Sequence, residues 1–168
     1  MKFDRSLVCT RYESPLGTML LAASDAGLAG VWFEGQRHQP DAADIARWAE
    51  RPDHPVLREA VAQLDDYYAG KRSAFDLPLD LRRGTPFQQS VWQALLAIAP
   101  GTTTSYGALG HRIGRPAASR AVGAAVGRNP VSIVVPCHRV LGTGGSLTGY
   151  AGGLERKSAL LRLEGAPH

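Results

Sequence analysis

The sequence predicts an α/β N-terminal domain, antiparallel strands plus one helix, over residues 1–84 with a connecting segment. A mostly α C-terminal domain follows over residues 85–168, containing a helix-turn-helix and winged-helix-like in outline. Three observations predict this. Residues 7–33 hold three apolar runs of strand length separated by turn residues. Thr85-Pro86-Phe87-Gln88 opens a helical half with the chemistry of a capping box. Charge is also split along the chain: residues 1–80 hold 9 Lys and Arg against 13 Asp and Glu, net −4, and residues 81–168 hold 10 against 2, net +8. No acidic residue lies between Asp80 and Glu155, so the overall +4 conceals a basic second half where a polyanionic partner belongs.

Leu7 to Tyr12, Thr18 to Ala23 and Leu28 to Phe33 read as strands, bounded by the turn sequences Ser14-Pro15-Leu16-Gly17 and Ser24-Asp25-Ala26-Gly27. An antiparallel meander follows. Gln36 to Pro55 is polar, carries Pro40, Pro52 and Pro55, and reads mostly as loop. Val56 to Ala69 has helical spacing at Val56, Leu57, Ala60, Val61, Leu64 and Tyr68, with Gly70 in the C-terminal cap position. Lys71 to Gly84 lacks pattern and reads as the connection.

In the second half, Val91, Trp92, Leu95, Leu96 and Ile98 continue an apolar face until Pro100-Gly101 stops it. A short helix from about Ser105 to Ile113, a Gly114-Arg115-Pro116 turn and a second helix from about Ala117 to Gly127 form a helix-turn-helix signature. Two packed core helices give the same pattern; the missing acidic residues favour DNA. The second helix is built of small residues, among them Ala117, Ala118, Ala121, Gly123 and Ala124, and only Arg120 and Arg128 reach far. Close approach to a narrow minor groove fits such a helix better than base readout in the major groove. Taken alone, Arg120 reads equally well as a surface residue. Val131 to Val135 is β-branched and continuous, which predicts a buried strand ending at Pro136-Cys137-His138-Arg139-Val140. A glycine-rich loop runs from Gly142 to Gly153, then a last helix from Leu154 to Leu163, with Glu164 and Gly165 at its end.

Composition narrows the function classes. At 168 residues, 44% hydrophobic and 20% charged, the chain is globular and long enough to bury a core without disulfides. Two distant cysteines, Cys9 and Cys137, make neither a disulfide framework nor a cysteine-rich metal cluster. A reduced, cytoplasmic protein is expected. Met1-Lys2-Phe3-Asp4-Arg5 lacks the apolar run of a signal peptide, and no stretch has the ~20 apolar residues that span a bilayer.

Cys137 is the candidate nucleophile. Thiolate is the reactive form, and a free thiol supplies only a few per cent of it at neutral pH, so a base or a positive field is needed. His138 and Arg139 follow it directly. A bridging water is the natural link between neighbouring Cys and His side chains that point apart, and a carboxylate would orient the imidazole. The only acidic residues in reach by sequence are Glu155 and Glu164. Cys9, within a strand and without such neighbours, reads as a buried structural residue.

Pro136-Cys137-His138-Arg139-Val140 resembles the active-site motif of the O6-alkylguanine-DNA alkyltransferase family. The resemblance extends in order through Thr85-Pro86-Phe87-Gln88, Ser105-Tyr106, Ser119-Arg120-Ala121-Val122-Gly123, Asn129-Pro130, Gly149-Tyr150-Ala151-Gly152-Gly153 and Glu164-Gly165, essentially all of residues 85–165. It implies DNA repair by irreversible, single-turnover transfer of an alkyl group from O6 of guanine to Cys137. Minor-groove binding and base flipping accompany the transfer, and no cofactor takes part. It implies Tyr106 as proton donor to the leaving guanine, Arg120 as the residue that fills the gap in the stack, and Ala117, Ala118, Ala121 and Arg128 against DNA. His138 would relay the thiol proton through a water toward Glu164. Asn129 would tie the helix pair to the active-site turn. In the substrate pocket, Val140 would contribute backbone groups to the flipped guanine, Tyr150 would wall the pocket or contact the base, and Ala151 would offer its backbone N–H toward O6.

The implied partner is double-stranded DNA bearing alkylated guanine, with a monomer in solution and no membrane role. Some members hold zinc in the N-terminal domain through Cys and His ligands. Here only Cys9, His38 and His54 are available there, so no metal is expected. No cysteine-rich N-terminal module is present either, so phosphotriester repair and transcriptional activation are not expected. Two other classes use the same features. A sequence-specific DNA-binding regulator conflicts with the small-residue second helix, and a thiol hydrolase built on Cys137, His138 and Glu164 leaves the basic helix pair unexplained.

Overall fold

The computed structural model describes residue 3 and residues 5–168. Met1, Lys2 and Asp4, part of the N-terminal segment read above for a leader, lie outside the described residues. Strands β1 (Val8–Ser14), β2 (Gly17–Ser24) and β3 (Gly27–Phe33) form the expected antiparallel meander, with Tyr12 opposite Met19 and Leu21 opposite Val31. β2 is buried over most of its length and β3 throughout, which is why both read as continuous rather than alternating apolar runs.

The segment after β3 departs from the expected loop. Asp41 caps a short helix, α1 (Ala42–Ile45), and β4 (Ala49–Glu50) pairs parallel with β1, giving the order β3-β2-β1-β4. Its scattered apolar residues are what a polar reading overlooked. Trp48 stacks on Trp32, with ring centroids 6.1 Å apart, and Ile45 packs beside them over Leu7, Cys9, Leu20 and Ala29. That closes one face of the sheet.

Helix α2 (Pro55–Tyr68) covers the other face through Leu57, Ala60, Leu64 and Tyr67. His54 caps its start, Nδ1 accepting from Val56 N–H. At its end Gly70 adopts a φ of 75°, and the Gly70 and Lys71 N–H groups donate back to the Tyr67 and Asp66 carbonyls, a Schellman cap. The connection then runs along the outer edge of β3, with Leu28 N–H donating to Pro78 O and Asp80 N–H to Leu28 O.

Asp80 pins this connection. Its side chain is fully buried and accepts from Ser24 Oγ at 2.6 Å, Arg82 Nε at 2.9 Å and Arg83 Nη1 at 3.0 Å.

Helix α3 (Pro86–Leu96) starts with the predicted capping box, Gln88 N–H donating to Thr85 Oγ1 and Thr85 N–H to Gln88 Oε1. After β5 (Thr104–Ser105) come α4 (Tyr106–Arg112) and α5 (Ser119–Gly127). Gly114, at φ 73°, turns the chain between them in a second Schellman cap. Arg115 N–H donates to Gly110 O and Gly114 N–H to His111 O. Trp92 Nε1 donates to Ala125 O at 2.8 Å and seats α5 on α3. The second helix therefore begins two residues later than its sequence pattern indicated. Ala118 N–H is taken by Arg115 O in a separate turn, which leaves Ala117 and Ala118 ahead of the helix. β6 (Val140–Leu141) pairs parallel with β5, and α6 (Leu154–Leu163) ends the fold.

Val131 to Val135 is buried as expected but is not a strand. Only Val131 bridges to the sheet, at Val31, and Ile133 sits at φ 72° in a series of turns. Asn129 is the reason. Its Oδ1 accepts from Val131 N–H at 3.0 Å and its Nδ2 donates to Val135 O at 2.7 Å, so a side chain takes the backbone groups that a neighbouring strand would otherwise satisfy.

The Arg82 guanidinium outweighs the opposing effect of burial and, with Ser24 and Arg83, holds the Asp80 carboxyl well below the usual carboxylate range. Its stabilisation is then complete above about pH 4 and lost as pH falls toward the folded-state value. Asp80→Asn is expected to destabilise the fold by about 2 kcal/mol at neutral pH, with the deficit shrinking in acid, as read by urea melts across pH.

Candidate active site

The chain leading to Cys137 is held by the edge of the sheet. Val31 N–H donates to Pro130 O at 2.8 Å and Ser132 N–H to Val31 O at 3.0 Å. The turns of residues 131–136 then deliver Cys137, His138 and Arg139 in one turn of 3-10 helix, all three buried. A non-glycine residue at the φ of Ile133 costs about 1–2 kcal/mol, and the Asn129 bonds on both sides hold it there.

Glu164 is the hub of the site. It is the C-cap of α6, fixed by a third Schellman turn in which Gly165 and Ala166 N–H groups donate to Arg162 and Leu161 carbonyls. Its carboxylate is 1% exposed. Arg139 grips it bidentately, Nε to Oε2 and Nη2 to Oε1, both at 2.9 Å, while Arg139 Nη1 donates to Ile98 O at 2.7 Å. His138 Nε2 lies 2.7 Å from Oε1, and Tyr67 of α2 donates to the same oxygen at 2.8 Å. Burial would raise the carboxyl, but the His138 and Arg139 hydrogen bonds outweigh it and hold the group at about 2.

An ionised carboxylate can only accept, so His138 Nε2 carries the proton and Nδ1 is the bare nitrogen. Nδ1 is buried and meets no hydrogen-bond partner among the described residues. Burial, only partly offset by Glu164, lowers the imidazole's own pKa, so it is neutral near pH 7. The result is a positioned base next in sequence to a buried thiol. Burial pushes the Cys137 thiol up, while Asn129 and the Lys157 ammonium act to lower it.

Cys137 opens into a pocket of about 260 Å³. Tyr106, Tyr150, Ala151 and Arg128 line it, together with Arg37 and His38 from the loop after β3. The Arg37 N–H donates to Ala151 O and joins the two sides of the mouth. Gly152 is required here, because a Cβ would come within 2.8 Å of the Tyr150 ring and 3.1 Å of Phe33. Arg120 lines a separate exposed depression on the helix-turn-helix with Ser105, Tyr106, Ser119 and Thr143, so Tyr106 faces both spaces. Ala117 and Ala121 are exposed, and Ala118 is half-buried. Val140 does not line the pocket. It is buried, and its carbonyl accepts from Lys157 Nζ at 2.5 Å.

The structure thus brings Cys137, His138, Glu164, Asn129, Tyr106, Tyr150, Ala151 and Arg128 around one centre and leaves Arg120, Ala117 and Ala121 exposed outside it. Sequence reasoning missed Tyr67, Lys157, Arg37 and His38. The signal for Tyr67 was the spacing of Leu57, Ala60, Leu64 and Tyr67, which share a helix face. The signal for Lys157 was a cation on the same face of α6 as Leu160 and Leu161. Arg37 and His38 carry no such pattern.

Lys157 is fully buried and donates to three carbonyls, of Val140, Thr148 and Gly149, so one ammonium joins the active-site turn to the glycine-rich loop. Burial lowers it to about 8. Lys157→Met is expected to destabilise the fold by about 2–4 kcal/mol through the unsatisfied carbonyls. It should also raise the pH at which Cys137 reacts with iodoacetamide, because a positive charge near the thiolate is removed; an unchanged reactivity profile contradicts this electrostatic role.

Comparison with known proteins places this geometry. Residues 86–166 match the family described as 6-O-methylguanine DNA methyltransferase, DNA binding domain, and residues 7–81 match its ribonuclease-like domain. The methylated-DNA–protein-cysteine methyltransferase of Mycobacterium leprae is 47% identical over 93% of this chain and 91% of its own length. That of Methanosarcina acetivorans is 48% identical over 92% and 96%. The crystal structure of Mycobacterium tuberculosis O6-methylguanine methyltransferase superposes with a TM-score of 0.84 at 45% identity, covering 96% of this chain and 95% of that one. A structure of the M. tuberculosis protein in complex with DNA gives 0.81 at 45% identity, covering 96% and 94%. No helix among the described residues is long and apolar enough to cross a membrane. Matched in both halves, and nearly half identical to such relatives over nine-tenths of its length, the chain belongs to the 6-O-methylguanine DNA methyltransferase family.

Proposed function

We propose that this protein repairs DNA by moving an alkyl group, methyl above all, from O6 of guanine to Cys137 in one irreversible turnover. The observation that carries this reading is the pocket-facing Cys137 thiol beside His138, whose imidazole Glu164 holds with Nδ1 bare. The thiol proton passes through a water to Nδ1. The Sγ lone pair forms the bond to the alkyl carbon, the carbon–O6 bond breaks, and its electron pair stays on the guanine. The Tyr106 hydroxyl, which lines the same pocket, gives that base a proton. The alkyl group remains as a thioether, so the protein is consumed, and no cofactor enters the balance.

Double-stranded DNA bearing the lesion is the partner, met by a monomer in the cytoplasm. The relative solved with DNA and the exposed small residues of α5 support the DNA partner. Arg120 stands on that helix to occupy the space a flipped guanine vacates, while Ala117, Ala118 and Ala121 allow the groove to approach closely. Arg128, Tyr150 and Ala151 bound the base. Asn129 keeps α5 and the Cys137 turn in fixed register, and the Val140 carbonyl anchors the Lys157 ammonium. In this reading residues 1–84 support the site and residues 85–168 carry the DNA surface and the nucleophile.

Incubation with a duplex carrying one O6-methylguanine should add the mass of one methyl group per chain, mapped to the Cys137 peptide. Methyl on Cys9 alone, or none, contradicts the reading, and Cys137→Ser should bind lesion DNA and transfer nothing. Arg120→Ala is expected to weaken repair of duplex more than reaction with free O6-methylguanine. Tyr106→Phe should slow both by roughly 100-fold, the lower range for loss of a general acid. Equal effects of Arg120→Ala on duplex and free base contradict its role in the stack.

A further inference from the structure

The N-terminal half contributes one polar side chain to the Glu164 hub. Tyr67 is 2% exposed, 97 positions from Glu164 in sequence, and its phenol donates to Oε1, the oxygen that also holds His138. The ring is fixed by Tyr68 and Phe75, with centroids 5.4 Å away in each case. We propose that Tyr67 is a positioning residue for the transfer reaction: its hydroxyl fixes the Glu164 carboxylate and limits the negative charge that His138 meets, so the N-terminal half acts on the chemistry without touching DNA or the alkyl group. The proposal rests on the alkyl-transfer reading above.

The geometry leaves the phenol no other task. Oε1 receives three donors, from His138, Arg139 and Tyr67, and Oε2 receives one from Arg139. Burial and the adjacent carboxylate raise the phenol far above its ordinary range, so it remains a neutral donor at every working pH. The charged and titratable groups around His138 are Glu164 and Lys157 from α6 and Arg139 on its own turn. Around Tyr67 they are Glu164, Arg139 and Tyr68. Loss of the Tyr67 O–H leaves more negative charge on Oε1 facing His138 Nε2. That favours the imidazolium and leaves less free base at a given pH.

The test is Tyr67→Phe, which keeps the ring and deletes only the hydroxyl, assayed in the full-length chain on a duplex with one O6-methylguanine. The expected result is a rate–pH profile whose midpoint moves up by roughly half a unit, so that transfer slows about threefold on the acid side of the midpoint and little near pH 7, with lesion-DNA affinity unchanged. Tyr67→Leu, which also removes the ring packing, should lower thermal stability further and show the same midpoint shift. A Tyr67→Phe profile that overlays wild type overturns the proposal and leaves the alkyl-transfer reading intact. So does a rate loss without a midpoint shift, since that follows from packing alone. A wild-type chain that transfers nothing overturns both.

Discussion

A carboxylate removed from water must be saturated with hydrogen bonds or give up its charge, and the architecture of this protein follows from meeting that demand at Glu164. Four donor contacts converge on two oxygens, and each comes from an element that something else has placed. The Schellman turn at Gly165 sets the carboxylate at the end of α6. The turn after Pro136 supplies His138 and Arg139, and Arg139 Nη1 reaches on to the carbonyl of Ile98, just past α3. Helix α2 supplies Tyr67. Removing any one donor leaves a buried charge short of a partner, so the hub joins both halves of the molecule as well as orienting a base.

The same argument changes the meaning of the charge split. The second half holds ten cations, but Arg139 and Lys157 point inward, one to neutralise Glu164 and one to bind three carbonyls. Of the remaining eight, Arg112, Arg115, Arg120 and Arg128 stand exposed on or beside the helix pair and give it an outward positive field. The first half is acidic in total, yet the loop after β3 turns Arg37 and His38 toward the pocket mouth. Charge counted along the sequence located the right half but not the side chains that face a polyanion.

Local signals were legible and distant ones were not. The capping box at Thr85, the glycine caps at Gly70, Gly114 and Gly165 and the small residues of α5 are written in short stretches, and the structure realises each of them. The β-branched run Val131 to Val135 looks like a strand because burial and β propensity agree there. What decides its conformation is the Asn129 amide, which takes the backbone groups a ladder would have used. Within the site, Cys137 and His138 announce themselves by adjacency, and Glu164 was reached through the resemblance rather than through spacing. Tyr67 and Lys157 read as ordinary members of helix faces, since nothing in a one-dimensional pattern separates a buried donor with a distant partner from a residue that only packs.

The central claim is that Glu164 fixes the tautomer of His138, leaving Nδ1 free to take the thiol proton. Long-range nitrogen–proton NMR correlation of the ¹⁵N-labelled protein, with His138 assigned by substitution, reads that tautomer directly. Near neutral pH the account predicts a neutral ring with the proton on Nε2 and an unprotonated Nδ1. A proton on Nδ1, or a doubly protonated ring, would contradict it.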